Sequence, residues 1–575
     1  MASSVLTLPL VAANPNIELL DESFVKETLA LSPTSATGQG YHQHNGINLD
    51  ELLDDNSPAG RQKADALYRH YLNEVVRLTN AKDSIEDRTD LDIIRLQCEA
   101  QLLDLEHVQS YRHNPTTYVE MIGNGIYQPF VQNYAPEHTR LTQITARVEK
   151  IPAALEAAKH NLVDAPAIWV SVAAAENQGN IDLIDKDIRA KIPPDLKARY
   201  DLAAAAALSA LRSFEQFLRN DLSKHPSDWR LGAQRYSEKF KLTLATGDTP
   251  DRVLHDAETQ LERVREDMGR QAQKLYPRYF SNQPPSADSN TLIARVMDKV
   301  AQQHTTPDRY FDDAKRDLAA ATQFVKARNL LTLPSADNLQ VIPTPEFMRG
   351  IYGVGGFSPA PALEPQLGAF FWITPFTSDM TAGRVESRLR EYNHWGLKLL
   401  TIHEAMPGHY VQFEYASQVK PKWRGVLRAV NSNGPYVEGW AVYVTQLFVD
   451  GGFDDTPEMH LTWGKHLLRV IANTILDIRL QTMGMTDQQA LDLMINQTFQ
   501  EKEEAEKKLQ RAKLSSCQLP TYFVGWRGWN QVRAAYEKKL GSKFRLPEFH
   551  QRALDEGAIP LPILKTVLER SGDVD

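Results

Sequence analysis

Cysteine is nearly absent from this chain, since its 575 residues include only Cys98 and Cys517. Two thiols cannot build a disulfide framework, a thiolate zinc site or an iron–sulfur centre. Any bound metal must therefore be held by histidine and carboxylate. Basic runs are missing too, and 64 Lys and Arg against 73 Asp and Glu leave a net charge of −9. This balance gives no electrostatic support for nucleic-acid binding, and we expect none.

Long apolar runs are also missing. No stretch reaches the length of ~18 apolar residues that a membrane helix needs, so we expect no membrane span. Residues Val5 to Ala13 resemble the apolar part of a secretory signal, but no positive residues precede them. They are either a truncated signal or a frayed start. The compartment thus stays open between export (periplasmic or extracellular) and the cytoplasm, and the oligomeric state is open as well.

Amino-acid composition and the spacing of apolar residues divide the chain into three regions. Hydrophobic residues make up 42% of it and charged residues 24%, which allows a large core. Residues 1–56 are mixed and loop-like, and we interpret them as an N-terminal extension with a possible signal remnant. Ser57-Pro58 predicts a helix start, and apolar residues at spacings of three and four predict a helical lobe over 57–330. Residues 331–575 are the predicted catalytic core, and the two lobes form one continuous unit.

The sequence contains no Gly-x-Ser-x-Gly, Walker or Cys-x-x-Cys motif. One group of residues, however, has the composition of a hydrolytic metal site. It is His403-Glu404-Ala405-Met406-Pro407-Gly408-His409. Neutral imidazoles bind zinc, and a carboxylate beside them can take a proton from the attacking water. The usual four-residue spacing leaves two histidines about 40° apart around a helix, whereas six residues rotate the second one by about 240°. A regular helix would therefore point His403 and His409 away from each other.

Pro407 and Gly408 provide a way to bring the two histidines back together. Pro407 removes a helical donor and clashes with the carbonyl of His403, four residues earlier. Gly408 tolerates almost any backbone angle. We therefore predict a break in the helix between Leu399 and Tyr415 that turns His409 towards His403. The alternative is a kinked core helix with an incidental pair of histidines.

A third metal ligand is expected from Glu438. Asn433-Gly434-Pro435 predicts a helix start, and Glu438 sits at the beginning of that helix within a stretch that otherwise looks buried. A buried carboxylate needs a partner, and a metal would be one. The alternative is a glutamate that is favoured only by the helix dipole.

A short strand is predicted at Gly368 to Thr374, which is aromatic and β-branched. Helical periodicity resumes near Arg384. A strand with one free edge can pair with an extended peptide, so we predict that an edge of this strand faces the substrate cleft. The alternative is that Phe370, Phe371 and Trp372 only fill the core.

The motifs around His403 and Glu438 resemble the bacterial family catalogued as domain of unknown function 885. That family is similar to the gluzincin metallopeptidases of the peptidase MA clan, which bind zinc through two histidines on one helix and a glutamate on the next. The resemblance covers most of the chain. Near its end, four residues fall where the family has Arg, Gln, Tyr and Gly, namely Arg511, Gln518, Tyr522 and Gly525.

The resemblance implies a mainly α, large helical gluzincin-like fold with a small β-sheet beside the active-site helix. It implies one zinc ion (Zn2+) per chain, held by His403, His409 and Glu438, with Glu404 as the general base. Tyr522 becomes the candidate oxyanion donor, although packing is the alternative for its ring. The expected function is a zinc-dependent hydrolase that cleaves peptide (amide) bonds of oligopeptides with metal-activated water.

Three positions depart from the family or from the gluzincins. Gln481 stands where the family often has histidine, Ser516-Cys517 where it often has Pro-Gly, and Val442 where gluzincins have aspartate. Gln481 favours the alternative function, a non-catalytic helical peptide-binding protein that retains a metallopeptidase fold.

The groups that orient the histidines must come from elsewhere in the chain. Asp477 and Glu414 are the candidates for this role. Three further histidines lie near in sequence, and we expect ordinary polar or core roles for them: His394, His460 and His466.

Overall fold

The structure is a computed structural model that describes residues 14–345, 348–349 and 353–570. The signal-like segment of residues 5–13 lies outside this range. The described chain is mainly helical, as the sequence predicts. Its α-helices are α1 Pro15–Leu31, α2 Pro33–Gly38, α3 Pro58–Leu78, α4 Ile85–Leu103, α5 Ser110–His113, α6 Thr116–Val131, α7 Glu137–Asn161, α8 Ala167–Asp182, α9 Pro194–Asn220, α10 Gly232–Leu244, α11 Pro250–Tyr279, α12 Ser289–Ala301, α13 Tyr310–Arg328, α14 Ala382–Glu391, α15 His394–Glu404, α16 His409–Ala416, α17 Lys422–Val430, α18 Gly434–Asp450, α19 Pro457–Thr482, α20 Asp487–Asp492, α21 Lys502–Leu514, α22 Pro520–Leu540, α23 Leu546–Asp555 and α24 Leu561–Arg570.

Short helical turns and strands complete the described fold. The π-helical turns are Asp104–Val108, Leu183–Ile188 and Leu493–Gln497, and the 3-10 turns are Leu49–Glu51, Arg189–Lys191, Leu222–Lys224 and Gly541–Lys543. The strands are β1 Gln43–His44, β2 Ile47–Asn48, β3 Leu339–Pro343, β4 Gly355–Ser358 and β5 Ala369–Ile373. β1 and β2 form a small antiparallel hairpin.

The N-terminal region differs from the sequence prediction. Helix α3 does begin at Pro58, with the Ser57 hydroxyl accepting a hydrogen bond from the Gly60 amide. However, the loop-like interpretation of residues 1–56 is wrong for 15–38, which form α1 and α2. Apolar residues of α1 such as Leu20 and Phe24 are spaced by four and buried in the main core. The apolar residues on one face of α1 therefore determine the local structure, although the glycine-rich composition of the residues that follow favoured a loop.

The small sheet corrects the prediction about substrate pairing. β5 confirms the predicted strand, but its neighbours are β3, which is parallel, and β4, which is antiparallel. Both edges of β5 are thus paired, and all five of its residues are buried. The prediction that this strand offers a free edge to substrate is wrong, and its aromatic side chains fill the core. The edge strand beside the cavity described below is β4, through Gly355.

Two hydrophobic clusters organise the described residues. The smaller one is formed by α6 to α9 between Tyr118 and Leu222. The larger one joins the N-terminal helices α1 to α4 to residues 236–568. This larger cluster crosses residue 330, so apolar packing does not separate two lobes there. The predicted division of the chain into domains stays a prediction.

No helix in residues 14–345 or 353–570 is long and apolar enough to cross a lipid bilayer. This agrees with the expectation from the sequence.

Candidate metal centre

The predicted break between the two histidines is present. Helix α15 ends at Glu404, and α16 begins at His409, with Ala405 to Gly408 outside both helices. The Gly408 amide donates to the Ile402 carbonyl over 3.0 Å, so the chain folds tightly back on the end of α15. This fold-back places the His403 and His409 rings with their centroids 4.8 Å apart and nearly perpendicular.

Gly408 is required here by the close approach of the backbone. A Cβ atom at this position would lie 1.8 Å from the His403 carbonyl oxygen, a distance that no side chain tolerates. The turn is also tied to the next structural unit, because the Trp440 indole donates to the Pro407 carbonyl over 2.9 Å. Trp440 lies on α18, two residues after Glu438. The same contact therefore fixes the turn and the helix that carries the third predicted ligand.

The three predicted ligands lie at one point. His403, His409 and Glu438 each offer a ligand atom, and these atoms lie within 4.8 Å of one another. Glu438 Oε2 is 3.6 Å from His403 Nε2 and 3.4 Å from His409 Nε2. Two metal–ligand bonds of about 2.0–2.1 Å that meet at a tetrahedral angle leave their ligand atoms about 3.4 Å apart. The spacing therefore fits a tetrahedral zinc site.

The electrostatics of the three groups agree with a cation site. Burial raises the pKa of the Glu438 carboxyl, but the two imidazoles lower it by more, so that its pKa lies well below the usual value. Glu438 is therefore ionised at neutral pH. Its buried Oε2 atom has no hydrogen-bond partner in the described chain. An unpaired buried carboxylate oxygen is costly, and a metal ion between it and the two Nε2 atoms would remove that cost.

A cavity of about 530 Å³ opens beside the three ligands. His403, Glu404 and Tyr522 all line it. The structure thus places the predicted general base and the predicted oxyanion donor in one cavity with a predicted metal ligand. The Tyr522 ring stacks near the His403 ring at a centroid distance of 6.3 Å. Burial raises the pKa of Tyr522, with Glu438 adding to the shift, so its hydroxyl is protonated at neutral pH and can donate.

Tyr522 is positioned by a close crossing of α18 and α22. A Cβ at Gly439 would lie 2.3 Å from the Gly525 carbonyl carbon, and one at Gly525 would lie 2.1 Å from the Pro435 oxygen. Two glycines therefore let the helices touch backbone to backbone. The Tyr522 hydroxyl also lies 3.4 Å from an Arg511 guanidinium nitrogen and 3.4 Å from the Gln518 amide nitrogen. The four residues near the end of the chain that support the family resemblance therefore lie close together, around Tyr522 and the crossing of α18 and α22.

The groups that were expected to orient the histidines lie elsewhere. Asp477 accepts a hydrogen bond from the Cys517 amide over 3.2 Å, and Glu414 is 3.4 Å from the Asn338 amide nitrogen. Across the described residues, neither His403 Nδ1 nor His409 Nδ1 has a hydrogen-bond partner. Both candidates are therefore wrong. Packing restrains at least one ring instead, since Phe357 of β4 stacks near His409 at a centroid distance of 6.2 Å.

The departures from the family also prove to be structural. Gln481 is buried, accepts from the Leu231 amide over 2.9 Å and donates to the Ser515 carbonyl over 3.3 Å. It does not line the cavity. Ser516 Oγ accepts from Lys239 over 2.8 Å, and the Cys517 side chain is fully buried. These residues hold loops together and do not face the predicted ligands.

His466 is a cavity residue that the sequence reasoning missed. Its ring lies 6.2 Å from the His403 ring and stacks on Trp463, and it lines the cavity. Burial lowers its pKa well below the usual value, and His403 adds to the shift, so the imidazole is neutral. No sequence signal distinguished it, because α19 carries several other polar residues along its length, among them Lys465, Asp477 and Arg479. By contrast, His460 has the ordinary role expected of it, 2.9 Å from Asp455.

Comparisons with known proteins agree with the family expectation. The pattern of the family described as "Bacterial protein of unknown function (DUF885)" matches residues 33–568, and the chain belongs to this family. No curated protein matches the sequence.

Two solved structures share the fold. One is titled as a "putative lipoprotein of unknown function" from Shewanella oneidensis. It is 29% identical with a TM-score of 0.81, and the match covers 96% of this chain and 99% of that one. The other is titled as a "putative lipoprotein" from Colwellia psychrerythraea. It is 16% identical with a TM-score of 0.79, covering 97% and 99% of the two chains.

Proposed function

We propose that this protein is a zinc-dependent hydrolase with a gluzincin-like fold that cleaves peptide bonds of oligopeptides. The observation that carries the proposal is the meeting of His403, His409 and Glu438, at distances that suit tetrahedral zinc, beside a cavity lined by Glu404. A bound zinc ion would supply Lewis acidity, which lowers the pKa of water and polarises a carbonyl group.

The residues around the cavity have distinct roles in this proposal. Glu404 accepts the proton of the attacking water and passes it to the leaving amine, as a general base and then acid. The Tyr522 hydroxyl donates a hydrogen bond to the substrate carbonyl oxygen as negative charge develops on it. The neutral His466 imidazole is a second candidate donor for that oxygen. Arg511 and Gln518 hold the Tyr522 hydroxyl in place.

The size of the cavity supports a small or extended substrate. Its volume of about 530 Å³ falls in the range of small-ligand pockets and suits a few residues of a peptide. The alternative, a non-catalytic peptide-binding protein, was favoured by Gln481. Gln481 is buried and hydrogen-bonded to Leu231 and Ser515, so it no longer favours a non-catalytic binding protein.

The test is digestion of a synthetic peptide library by purified protein loaded with one equivalent of zinc. We expect cleavage by the wild type, and a loss of about 10²-fold or more in turnover for Glu404→Gln, because an amide cannot accept the proton. The variant should still bind zinc, since Glu404 is not one of the three ligands.

Glu506→Gln is the matched control, because Glu506 is exposed on α21 and does not line the cavity. It should cleave like the wild type. Peptide binding without cleavage by the zinc-loaded wild type would overturn the proposal in favour of the binding protein. Equal turnover by Glu404→Gln would remove this residue from the mechanism.

A further inference from the structure

The cavity beside the metal ligands has a strongly basic side. Four cationic residues line it, and we call them the basic wall: Arg469, Lys507, Lys508 and Arg511. Arg469 comes from α19 and the other three from α21. Nothing in the chemistry of water activation requires four cations at this place, so the basic wall needs an explanation of its own.

Lys508 is the most informative member of the basic wall. Its side chain is only 8% exposed, yet it makes no hydrogen bond or ion pair with any residue of the described chain. Burial lowers the pKa of its ammonium group well below the usual value, and Arg469 and Arg511 add to the shift. A buried ammonium without a partner destabilises a folded protein. Such a group is maintained most simply by a ligand that pairs with it.

Among the described residues, the carboxylates near the basic wall leave Lys508 without an ion pair. Arg469 donates to the Tyr392 hydroxyl over 2.6 Å and lies 3.8 Å from Glu391, whose carboxylate is paired with Lys465 over 2.7 Å. Three carboxylates also line the cavity, from Glu120, Glu404 and Glu504, and Glu504 Oε1 has no hydrogen-bond partner among the described residues. None of them forms an ion pair with Lys508, so an anionic ligand would supply the partner that this buried side chain lacks in the described chain.

The basic wall also lies close to the predicted metal centre. Arg511 is within 3.4 Å of the Tyr522 hydroxyl, and the Tyr522 ring is stacked near His403. Successive Cα atoms of a peptide are about 3.8 Å apart, so an anion bound here belongs to a residue at or just beyond the bond that faces the metal ligands.

We propose that the basic wall binds a carboxylate of the substrate on the leaving-group side of the scissile bond. This inference rests on the proposed function and deepens it, because it assigns the substrate a carboxylate next to the bond that is cleaved. The carboxylate is either the free C-terminus of the peptide or the side chain of an Asp or Glu residue at that position. Lys508 and Arg511 are its principal partners, since guanidinium and ammonium groups form strong charge-assisted hydrogen bonds with carboxylates.

The test measures binding, so that it does not depend on turnover. The zinc-loaded Glu404→Gln protein is titrated calorimetrically with three probes: acetyl-Ala-Ala-Ala, its C-terminal amide, and acetyl-Ala-Ala-Glu amide. We expect at least one of the two probes that carry a carboxylate to bind at least about tenfold more tightly than the alanine amide. If only the Glu amide does so, the carboxylate source is a side chain, and if both do so, the site accepts either source. If only the free acid does so, the source is the C-terminus.

Lys508→Met in the same background should reduce the preference for a probe with a carboxylate to near unity. It should also keep or raise the melting temperature, because the unpaired charge is gone. Lys502→Met is the control, since Lys502 is exposed on the same helix, and it should keep the preference. Equal binding of all three probes, or no binding at millimolar concentration, would overturn the inference. Discrimination without any cleavage by wild type would leave the carboxylate site standing and remove only the proposed hydrolysis.

Discussion

At the residue scale, the metal centre depends on what Pro407 and Gly408 do to the chain between two histidines. They end α15 after Glu404 and restart the helix at His409, while Gly408 lies against the His403 carbonyl. The Trp440 indole then ties this turn to α18. As a result, two imidazoles that a continuous helix would separate face the carboxylate of Glu438.

Tyr522→Phe tests the most specific role that we assign to a single side chain. The change removes only the hydroxyl, so we expect kcat to fall by about 10²–10³-fold with little change in KM, as for the loss of one oxyanion donor. Steady-state kinetics on a cleaved library peptide measure both constants. Tyr536→Phe on the same helix is the control, because its ring packs against Phe544 and Phe549 away from the cavity. A kcat within twofold of wild type for Tyr522→Phe would leave packing as the function of this ring.

Local chemistry explains which site residues could be predicted from sequence. The His403–His409 motif, its Pro-Gly break and Glu438 are recognisable because each depends on neighbours only a few residues away. His466 and Lys508 could not be predicted, since their importance arises from α19 and α21 packing around a cavity shared with distant helices. Asp477 failed as a partner of the histidines for the same reason, because its contact lies 40 residues away at Cys517.

At the scale of elements, the crossing of α18 and α22 brings Glu438, a predicted ligand, close to Tyr522, the proposed donor. Gly439 and Gly525 allow the backbones to meet, and the buried Trp440 and Trp529 rings pack beside the crossing with centroids 5.0 Å apart. Each of these tryptophans buries a large apolar area, which stabilises the pair of helices. The relative position of Glu438 and Tyr522 is thus set by the packing of two helices.

Gly439→Ala should therefore disturb both stability and metal binding. The added methyl group would lie 2.3 Å from the Gly525 carbonyl carbon, so the helices must separate. Overpacking of this kind costs about 1–3 kcal/mol, and Glu438 would move with its helix. Urea denaturation and zinc titration measure the two effects. Gly383→Ala is the matched control, since open space surrounds Gly383 on α14, and it should be neutral or stabilising. Unchanged stability of Gly439→Ala would contradict the close crossing.

The small sheet shows which features of a strand can be predicted from the sequence and which cannot. The run Ala369 to Ile373 could be predicted as a strand because it is short, aromatic and bounded by turn residues. Its unbroken apolar character is typical of a strand that is buried on both faces, which is what the structure has. The pairing partners could not be predicted, because β3 and β4 are short and their register is fixed only in the folded chain.

At the scale of the whole molecule, the cavity lies where two parts of the chain meet. Asn114, Thr116, Glu120 and Val172 come from the region of α5 to α8, and the remaining lining residues come from the C-terminal half. The cavity is therefore lined by residues from both the N-terminal helices and the C-terminal half of the chain. The mainly helical class could be predicted from periodicity, whereas the helices at 15–38 and the two clusters follow from long-range packing.

This placement predicts a preference for peptides over folded proteins. A folded chain cannot reach ligands that line a cavity between helices, whereas an extended peptide can. We expect zinc-loaded protein to leave a native globular protein intact and to cleave the oligopeptides of its tryptic digest at least about 100-fold faster, as followed by mass spectrometry. Glu404→Gln run in parallel excludes a contaminating protease. Efficient cleavage of the native protein would contradict the account of the cavity.

The central claim is that His403, His409 and Glu438 hold one zinc ion. The most direct measurement is the metal content of purified, dialysed protein by inductively coupled plasma mass spectrometry. We expect about one zinc per chain for wild type and almost none for His409→Ala, since each ligand supplies a large part of the affinity. His460→Ala, which removes an ordinary surface histidine, should retain about one zinc. Wild type that cannot be loaded with zinc, or His409→Ala with stoichiometric zinc, would contradict the account.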